Sequence, residues 1–335
     1  MVFGEVTSLT LFHTQTYTEP AELLHPLVAI SRQSDMRTTI IRPFLAVLAS
    51  ALALMLVAAV GLNGQAGERE RTLFVSAVDK DGEPIADLGL SDFVVTEDGR
   101  RREVLRVSRA VEPMDIALLV DNSAAADNTT LPMREGLTNF VSRMAEGNQI
   151  ALIALASRPT ILTDYTSDVK RLTEGIGLVW PQRQSGMTLL DAIVETSKGL
   201  ERRETTRASL VAVVTNGVEY SKFFSQEVVA AMTRASVSLH AITLGASDDL
   251  ASEEGRERAR VLNSAAPATG GQRIVILADT GINPALQKVA RQLRTQYKVV
   301  YSRPESFLPP EKIEVSAARP GITMRGTPAR GQTGA

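Results

Sequence analysis

Cysteine is missing from all 335 residues. That excludes disulfides, thiolate nucleophiles, Cys-ligated zinc, Fe–S clusters and a lipid-modified N-terminal Cys. Histidine is nearly missing too: His13, His25 and His240 are the three, which leaves little for a His-based metal or catalytic site. Neither sign of charge dominates. Lys and Arg total 36 against 38 for Asp and Glu, a formal net charge of −2, so the basic excess that nucleic-acid binding needs is absent. No Gly-x-Ser-x-Gly elbow, His-Glu-x-x-His or phosphate-binding loop occurs. Gly175-Ile176-Gly177 lacks the third glycine of a dinucleotide site. The expectation is a protein that is not an enzyme. What the chain does have is 44% hydrophobic and 22% charged residues, a globular composition with length for two domains or one large domain and an appendage.

From residue 44 to residue 62 there is no charge, and Arg37 and Arg42 stand before the run. At ~1.5 Å per residue such a run spans roughly one hydrocarbon core. Gly64-Gln65-Ala66 behind it is a small-x-small cleavage pattern. Residues 36–66 therefore read as a secretory signal peptide cut after Ala66, or as an uncleaved transmembrane anchor. Met36 opens a typical signal start, so residues 1–35 are expected to be a misassigned start or a disordered leader. The expected location is exported: periplasmic, secreted or anchored through 44–62, the one segment facing a membrane.

Beyond the signal, residues 71–111 carry short strand patterns punctuated by Asp81-Gly82 and Asp98-Gly99 turns. They read as a β module. From residue 112 to 280 continuous apolar runs alternate with helical spacing. The runs at 116–120, 150–155, 210–214, 237–244 and 274–277 are strands covered on both faces. Helical patterns occupy 131–145, 189–200, 227–235 and 249–265. That alternation predicts a Rossmann-like α/β fold, a mostly parallel sheet with helices on both faces. Residues 281–318 supply a helix and the strands 297–301 and 312–316, expected to complete the β module from the other flank. Residues 319–335, rich in Gly, Pro, Arg and Thr, read as a flexible tail.

Ligands of open α/β sheets sit at the carboxyl ends of the strands, near the switch point. Three polar loops converge there: Asp121-Asn122-Ser123-Ala124-Ala125, Ser185-Gly186-Met187-Thr188-Leu189, and Thr215-Asn216-Gly217. Together they resemble the von Willebrand factor type A (VWFA) family. There, Asp-x-Ser-x-Ser, Gly-x-Thr-x-Leu and Thr-Asp-Gly build a metal-ion-dependent adhesion site for Mg²⁺ or Mn²⁺. The flanks, Val78 to Gly99 and Leu293 to Gly321, resemble the bacterial, acidobacterial-type VWFA-related family, whose members are typically exported. The resemblance implies Asp121, Ser123 and Thr188 as metal ligands or water-bridged ligands, with Asn216 behind them. Two positions depart from the pattern: Ala125 replaces the second Ser, and Asn216 the Asp. A hard cation wants about six oxygens, so the site reads as degenerate. No cofactor is expected, with weak Mg²⁺ or Mn²⁺ binding the alternative.

Each residue also has a plain structural reading. Asp121 and Ser123 can satisfy loop N–H groups. Thr188 can cap a helix, with Asp191 as its capping-box partner. Asn216-Gly217 can be only a turn. His240 alternates with Leu239 and Ala241 in a strand and reads as structural. Trp180 and Tyr165 are read in loops, either bordering the ligand edge or packing. The expected function is an exported protein-binding or adhesion module with a protein partner. The alternatives are a structural component of a cell-envelope assembly and a periplasmic small-molecule sensor.

Overall fold

In the computed structural model, residues 68–245, 248–304 and 310–330 are described. The leader, the signal or anchor and the apolar run at 44–62 lie outside them. Among the described residues no helix is long and apolar enough to cross a membrane.

The centre is a six-stranded sheet of β5 (Asp115–Val120), β6 (Gln149–Ala154), β7 (Thr160–Thr166), β8 (Ala208–Val214), β9 (Val237–Leu244) and β10 (Gln272–Ile276). Its order is β10-β9-β8-β5-β6-β7. All neighbours are parallel except β6 and β7. Every residue of β5 and β8 is buried, which is why those strands read as unbroken apolar runs rather than alternations. Helices α1 (Thr130–Met144), α2 (Val169–Gly177) and α6 (Ile282–Arg294) cover one face. On the other face lie α3 (Leu189–Arg203), α4 (Ser225–Ala235) and α5 (Glu253–Arg260), with α5 prolonged through one widened turn to Ala268. This is the Rossmann-like α/β fold expected from the alternation of strands and helices. The edge strand β7 and helix α2 were not expected. β7 runs antiparallel and half exposed, so Thr160, Asp164 and Thr166 dilute its apolar signal.

Both flanks do build a β module, made of two sheets. β1 (Glu68–Val78), β4 (Val104–Arg109), β11 (Tyr297–Pro304) and β13 (Thr323–Pro328) form one, in the order β13-β1-β11-β4. β2 (Phe93–Glu97), β3 (Arg100–Arg102) and β12 (Ile313–Ala317) form the other, in the order β12-β2-β3. Leu73, Val75, Phe93, Val95, Tyr297, Val299 and Tyr301 share the core between them. Two expected boundaries need correction. The boundary expected at residue 281 puts helix α6 with the C-terminal flank, but Ile282, Leu286, Val289 and Leu293 pack into the core of the six-stranded sheet. The tail expected to be flexible from residue 319 contains β13, paired with β1 from Leu73↔Pro328 to Val78↔Thr323. Its glycine is there for packing: a Cβ on Gly326 would sit 2.9 Å from Val315 Cγ1 and 3.6 Å from Val75 Cγ2.

Candidate functional site at the carboxyl edge

The chain leaves β5 for β6 on one side and later returns to β8 on the other, so the sheet's switch point lies between β5 and β8. Asp121 stands at that point, fully buried. One carboxylate oxygen accepts from the Ser123 N–H at 2.8 Å. The other accepts from the Thr215 N–H at 3.0 Å and from the Thr215 hydroxyl. Asp121 therefore ties the loop after β5 to the loop after β8.

Ser123 is also fully buried, and its hydroxyl has no hydrogen-bond partner. Gly217 lies against it, since a Cβ there would be 2.9 Å from Ser123 Oγ and 3.2 Å from Ala125 Cβ. Thr188 is buried, and its hydroxyl donates to the Leu155 carbonyl at 2.7 Å rather than capping α3. The capping-box reading of Thr188 with Asp191 is thus corrected. Asp191 accepts instead from the Lys222 and Phe223 N–H groups. The start of α3 is capped from elsewhere: the Leu189 N–H donates to Glu219 Oε1 at 2.9 Å. Asn216 is exposed and its amide lies against Gly245 at the end of β9, where any Cβ would overlap it. That direction is across β8 from β5, toward the neighbouring strand.

Asp121, Ser123 and Thr188 thus come from the expected loops, while Asn216 turns toward β9. Of the ligand oxygens expected at the site, only the buried Ser123 hydroxyl stands without a protein partner. Both Asp121 oxygens and the Thr188 hydroxyl already have protein partners, and position 125 has no oxygen. Among the described residues no three His, Cys, Asp or Glu side chains group to hold a metal. A resident cation is close: the buried Arg258 guanidinium donates to the Gly217 carbonyl at 2.6 Å.

Two residues outside the motif's ligand positions organise the edge. Asn122, the interior position of the first motif, accepts from the Ala156 N–H at 2.8 Å and donates to the Trp180 carbonyl at 3.1 Å. Its own carbonyl takes the Gln182 N–H at 2.8 Å. Glu219 is buried, with Oε1 also accepting from the Ser221 hydroxyl at 2.5 Å and Oε2 unpartnered. Burial pushes its pKa up from 4.5 to about 7, against the lowering pull of the Ser221 hydrogen bond and the Arg258 charge. Asparagine beside the motif's Asp was the sequence signal for the first; a carboxylate four residues after Thr215 was the weaker signal for the second.

Trp180 does border this edge. Tyr165 does not: it lies on β7 near the start of the parallel β6, with Arg203 over its ring at 4.2 Å. His240 is fully buried in β9, both ring nitrogens unpartnered, and burial holds its pKa down at about 3.

Residues 116–219 match the family model of the von Willebrand factor type A domain. The chain carries a domain of that family. Solved structures are similar to it at low identity. The vWF domain of the type V pili tip protein Mfa5 from Porphyromonas gingivalis is 12% identical, covers 54% of this chain and 95% of its own, and has a TM-score of 0.41. A von Willebrand factor type A protein from Catenulispora acidiphila is 11% identical, covers 79% of this chain and 75% of its own, and has a TM-score of 0.44. Proximal thread matrix protein 1 from the mussel byssus, with a zinc-occupied MIDAS motif, is 16% identical, covers 62% of this chain and 50% of its own, and has a TM-score of 0.44. Among curated proteins none matches this chain.

Proposed function

We propose that this chain is an exported protein-binding module, not an enzyme, that meets an envelope or extracellular protein partner through the loops at the carboxyl edge of its six-stranded sheet. Von Willebrand factor type A domains are in general interaction modules. The observation that carries the reading is the edge itself: Asp121 and Asn122 bind four loops into one surface at the switch point. Exposed Trp180 and Tyr220 stand on that surface. Export rests on the arginine-flanked apolar run at 44–62 and the Gly64-Gln65-Ala66 pattern. The lone histidine after that run is a buried neutral imidazole, which supports a binding role over acid–base chemistry.

In this reading the metal-ion-dependent adhesion site is degenerate. A ligand at ~100 times its Kd adds roughly 2.7 kcal/mol of stability. Thermal unfolding should therefore give the same midpoint in EDTA and in 5 mM Mg²⁺ or Mn²⁺; a metal-dependent rise that Ser123→Ala abolishes would restore a working site. The binding surface is tested with a photo-crosslinking residue at Val218, on the edge, and another at Glu146, before β6 at the opposite end. Incubated with envelope and extracellular protein of the organism that makes the chain, the Val218 version should give a discrete adduct that the Glu146 version does not. Adducts from both positions, or from neither, would remove the edge as the binding surface.

A further inference from the structure

We propose that the open mouth of the β module binds a phosphate-type oxyanion through Arg71 and Arg100, with Arg102 and Arg303 fixed behind them on the buried Glu97 carboxylate. This site lies outside the carboxyl edge and does not depend on how the edge is read.

The mouth is where the two sheets of the module end together. β1 begins at Glu68, and β13 pairs with it only from Leu73 onward, so the first residues of β1 have β11 on one side alone. Across the β1–β11 ladder Arg71 stands opposite Tyr301, and Arg69 opposite Arg303. Directly opposed residues of an antiparallel pair project to one face. Here it is the face that carries Leu73, Val75, Val299 and Tyr301 into the module's core. From the other sheet, β2 ends at Glu97, and the Asp98-Gly99 turn sets Arg100 opposite it.

One carboxylate holds this end together. Glu97 is buried, and its Oε1 accepts from the Tyr301 hydroxyl at 2.8 Å. Its Oε2 accepts from Arg102 Nε at 3.0 Å and faces Arg303 Nε at 3.4 Å. Two guanidiniums therefore share this carboxylate before Arg71 is counted. Arg71 is half-buried, and its Nε lies out of water with no hydrogen-bond partner, near enough to the Tyr301 hydroxyl to act on it. Arg100 is exposed. Neither Arg71 nor Arg100 forms an ion pair among the described residues. A desolvated guanidinium N–H without an acceptor is costly, and so are like charges set opposite each other across a ladder. A second anion at the mouth offsets both.

The neighbouring carboxylates are committed elsewhere. Glu70 lies on the opposite face of β1, bonded to Arg106 at 2.8 Å. Asp98 Oδ1 accepts from the Lys312 N–H at 2.9 Å, and Glu314 pairs with the Lys312 ammonium at 2.7 Å. Glu103 and Glu311 are exposed, one between β3 and β4 and the other just before β12. The side chains of Glu68 and Glu305 lie outside those described. Arg69 and Arg71 are two residues apart on one strand face, about 7 Å along it, so both reach toward one compact group. The arginine fork matches phosphate oxygens bidentately, and a dianion offsets positive charge that a single buried carboxylate does not.

The full-length chain is unfolded thermally in inorganic phosphate, in glycerophosphoglycerol (the phosphodiester headgroup of an anionic lipid) and in acetate, all at one ionic strength. Phosphate at 10 mM should raise the midpoint saturably by about 4 °C over acetate. Arg71→Gln should abolish that rise. Its midpoint in acetate should match or exceed that of wild type, because it removes a charge that has no partner; an arginine with a packing role alone would lower it. Arg100→Gln, on the surface, should keep the acetate midpoint and need at least threefold more phosphate for half the rise, and it decides the matter if Arg71→Gln unfolds early. A response to glycerophosphoglycerol as large as that to phosphate assigns the anion to a lipid headgroup. A response to inorganic phosphate alone assigns it to free phosphate or a monoester. An equal rise in acetate, a wild-type rise in both variants, or no rise with either phosphate compound at 10 mM overturns the proposal.

Discussion

Glu219 and His240 are two buried titratable side chains whose pKa values are moved in opposite directions, and their pH effects oppose each other. The folded chain holds the Glu219 proton more tightly than the unfolded chain does, since its pKa rises from 4.5 to about 7. Stability from this group is complete below about pH 4.5 and is lost as pH rises to about 7, with a slope of up to about 1.4 kcal/mol per pH unit. His240 falls from 6.5 to about 3. Its contribution is complete above pH 6.5 and is lost as pH falls toward 3. Between pH 4.5 and 6.5 the two slopes have opposite sign. Against wild type in that window, Glu219→Gln should become more stable as pH rises, and His240→Leu less stable. Urea unfolding at pH 4.5, 5.5 and 6.5 checks this; three parallel profiles would refute it. His240→Leu should also be neutral or stabilising at pH 7, because it removes two buried nitrogens that have no partner. Neither effect was legible in the sequence. Asp121, Ser123 and Thr188 were found by motif, but their partners come from residues up to 94 positions away. The Glu219 bond to Leu189 exists only once two loops have met.

At the scale of elements, strands buried on both faces announced themselves and edge strands did not. Ile116 to Val120 and Leu210 to Val214 have apolar neighbours above and below, so the sequence carries five apolar residues in a row. β7 and β13 each have one unpaired side; polar residues and glycine are tolerated there, and the pattern fades. For β13 the difference is testable. It covers β1 along six residue pairs and brings Met324 into the core with Leu73, Val75 and Phe93. Burying an apolar side chain contributes about 1.5–3 kcal/mol, and removal of the strand also leaves the outer N–H groups of β1 unpaired. Truncation after Ala318 should cost at least about 3 kcal/mol by denaturant unfolding and speed hydrogen exchange in β1. Unchanged stability and exchange would return residues 319–335 to the status of a tail. Gly326→Val offers a milder check, with loss expected from overlap with Val315.

Across the whole molecule, the β module and the six-stranded sheet are joined by α6 and by one buried arginine. One side of α6 lies in the sheet's core, while Arg291 pairs with Glu83 at 2.8 Å and Gln292 donates to the Gly82 carbonyl at 2.8 Å. Arg207 stands at the head of β8, 6% exposed. It donates to Gln296 Oε1 at 2.7 and 3.0 Å and to the Leu293 and Glu112 carbonyls at 2.5 and 3.2 Å, and it lies over the Phe74 ring of β1 at 5.4 Å. Gln296 in turn donates to the Ser76 hydroxyl at 3.1 Å. Burial lowers the Arg207 pKa to about 10, with Glu112 opposing, so the guanidinium stays charged at neutral pH. A buried charge so fully hydrogen-bonded holds two layers in register, but it leaves unpaired acceptors if truncated. The two layers should therefore unfold together. Trp180 emission, which follows the six-stranded sheet, and amide exchange in β1 and β11 should give one midpoint. Arg207→Ala strands the Gln296 and Leu293 oxygens and opens a void beside the roughly 10 Å³ cavity between Phe74, Ser209, Ser238 and Gln296. It should cost about 3–5 kcal/mol, with β1 amides exchanging before Trp180 emission changes. A wild-type chain that already melts in two steps would show that α6 alone does not couple the layers, and an Arg207→Ala variant within about 0.5 kcal/mol of wild type would show that the arginine does not.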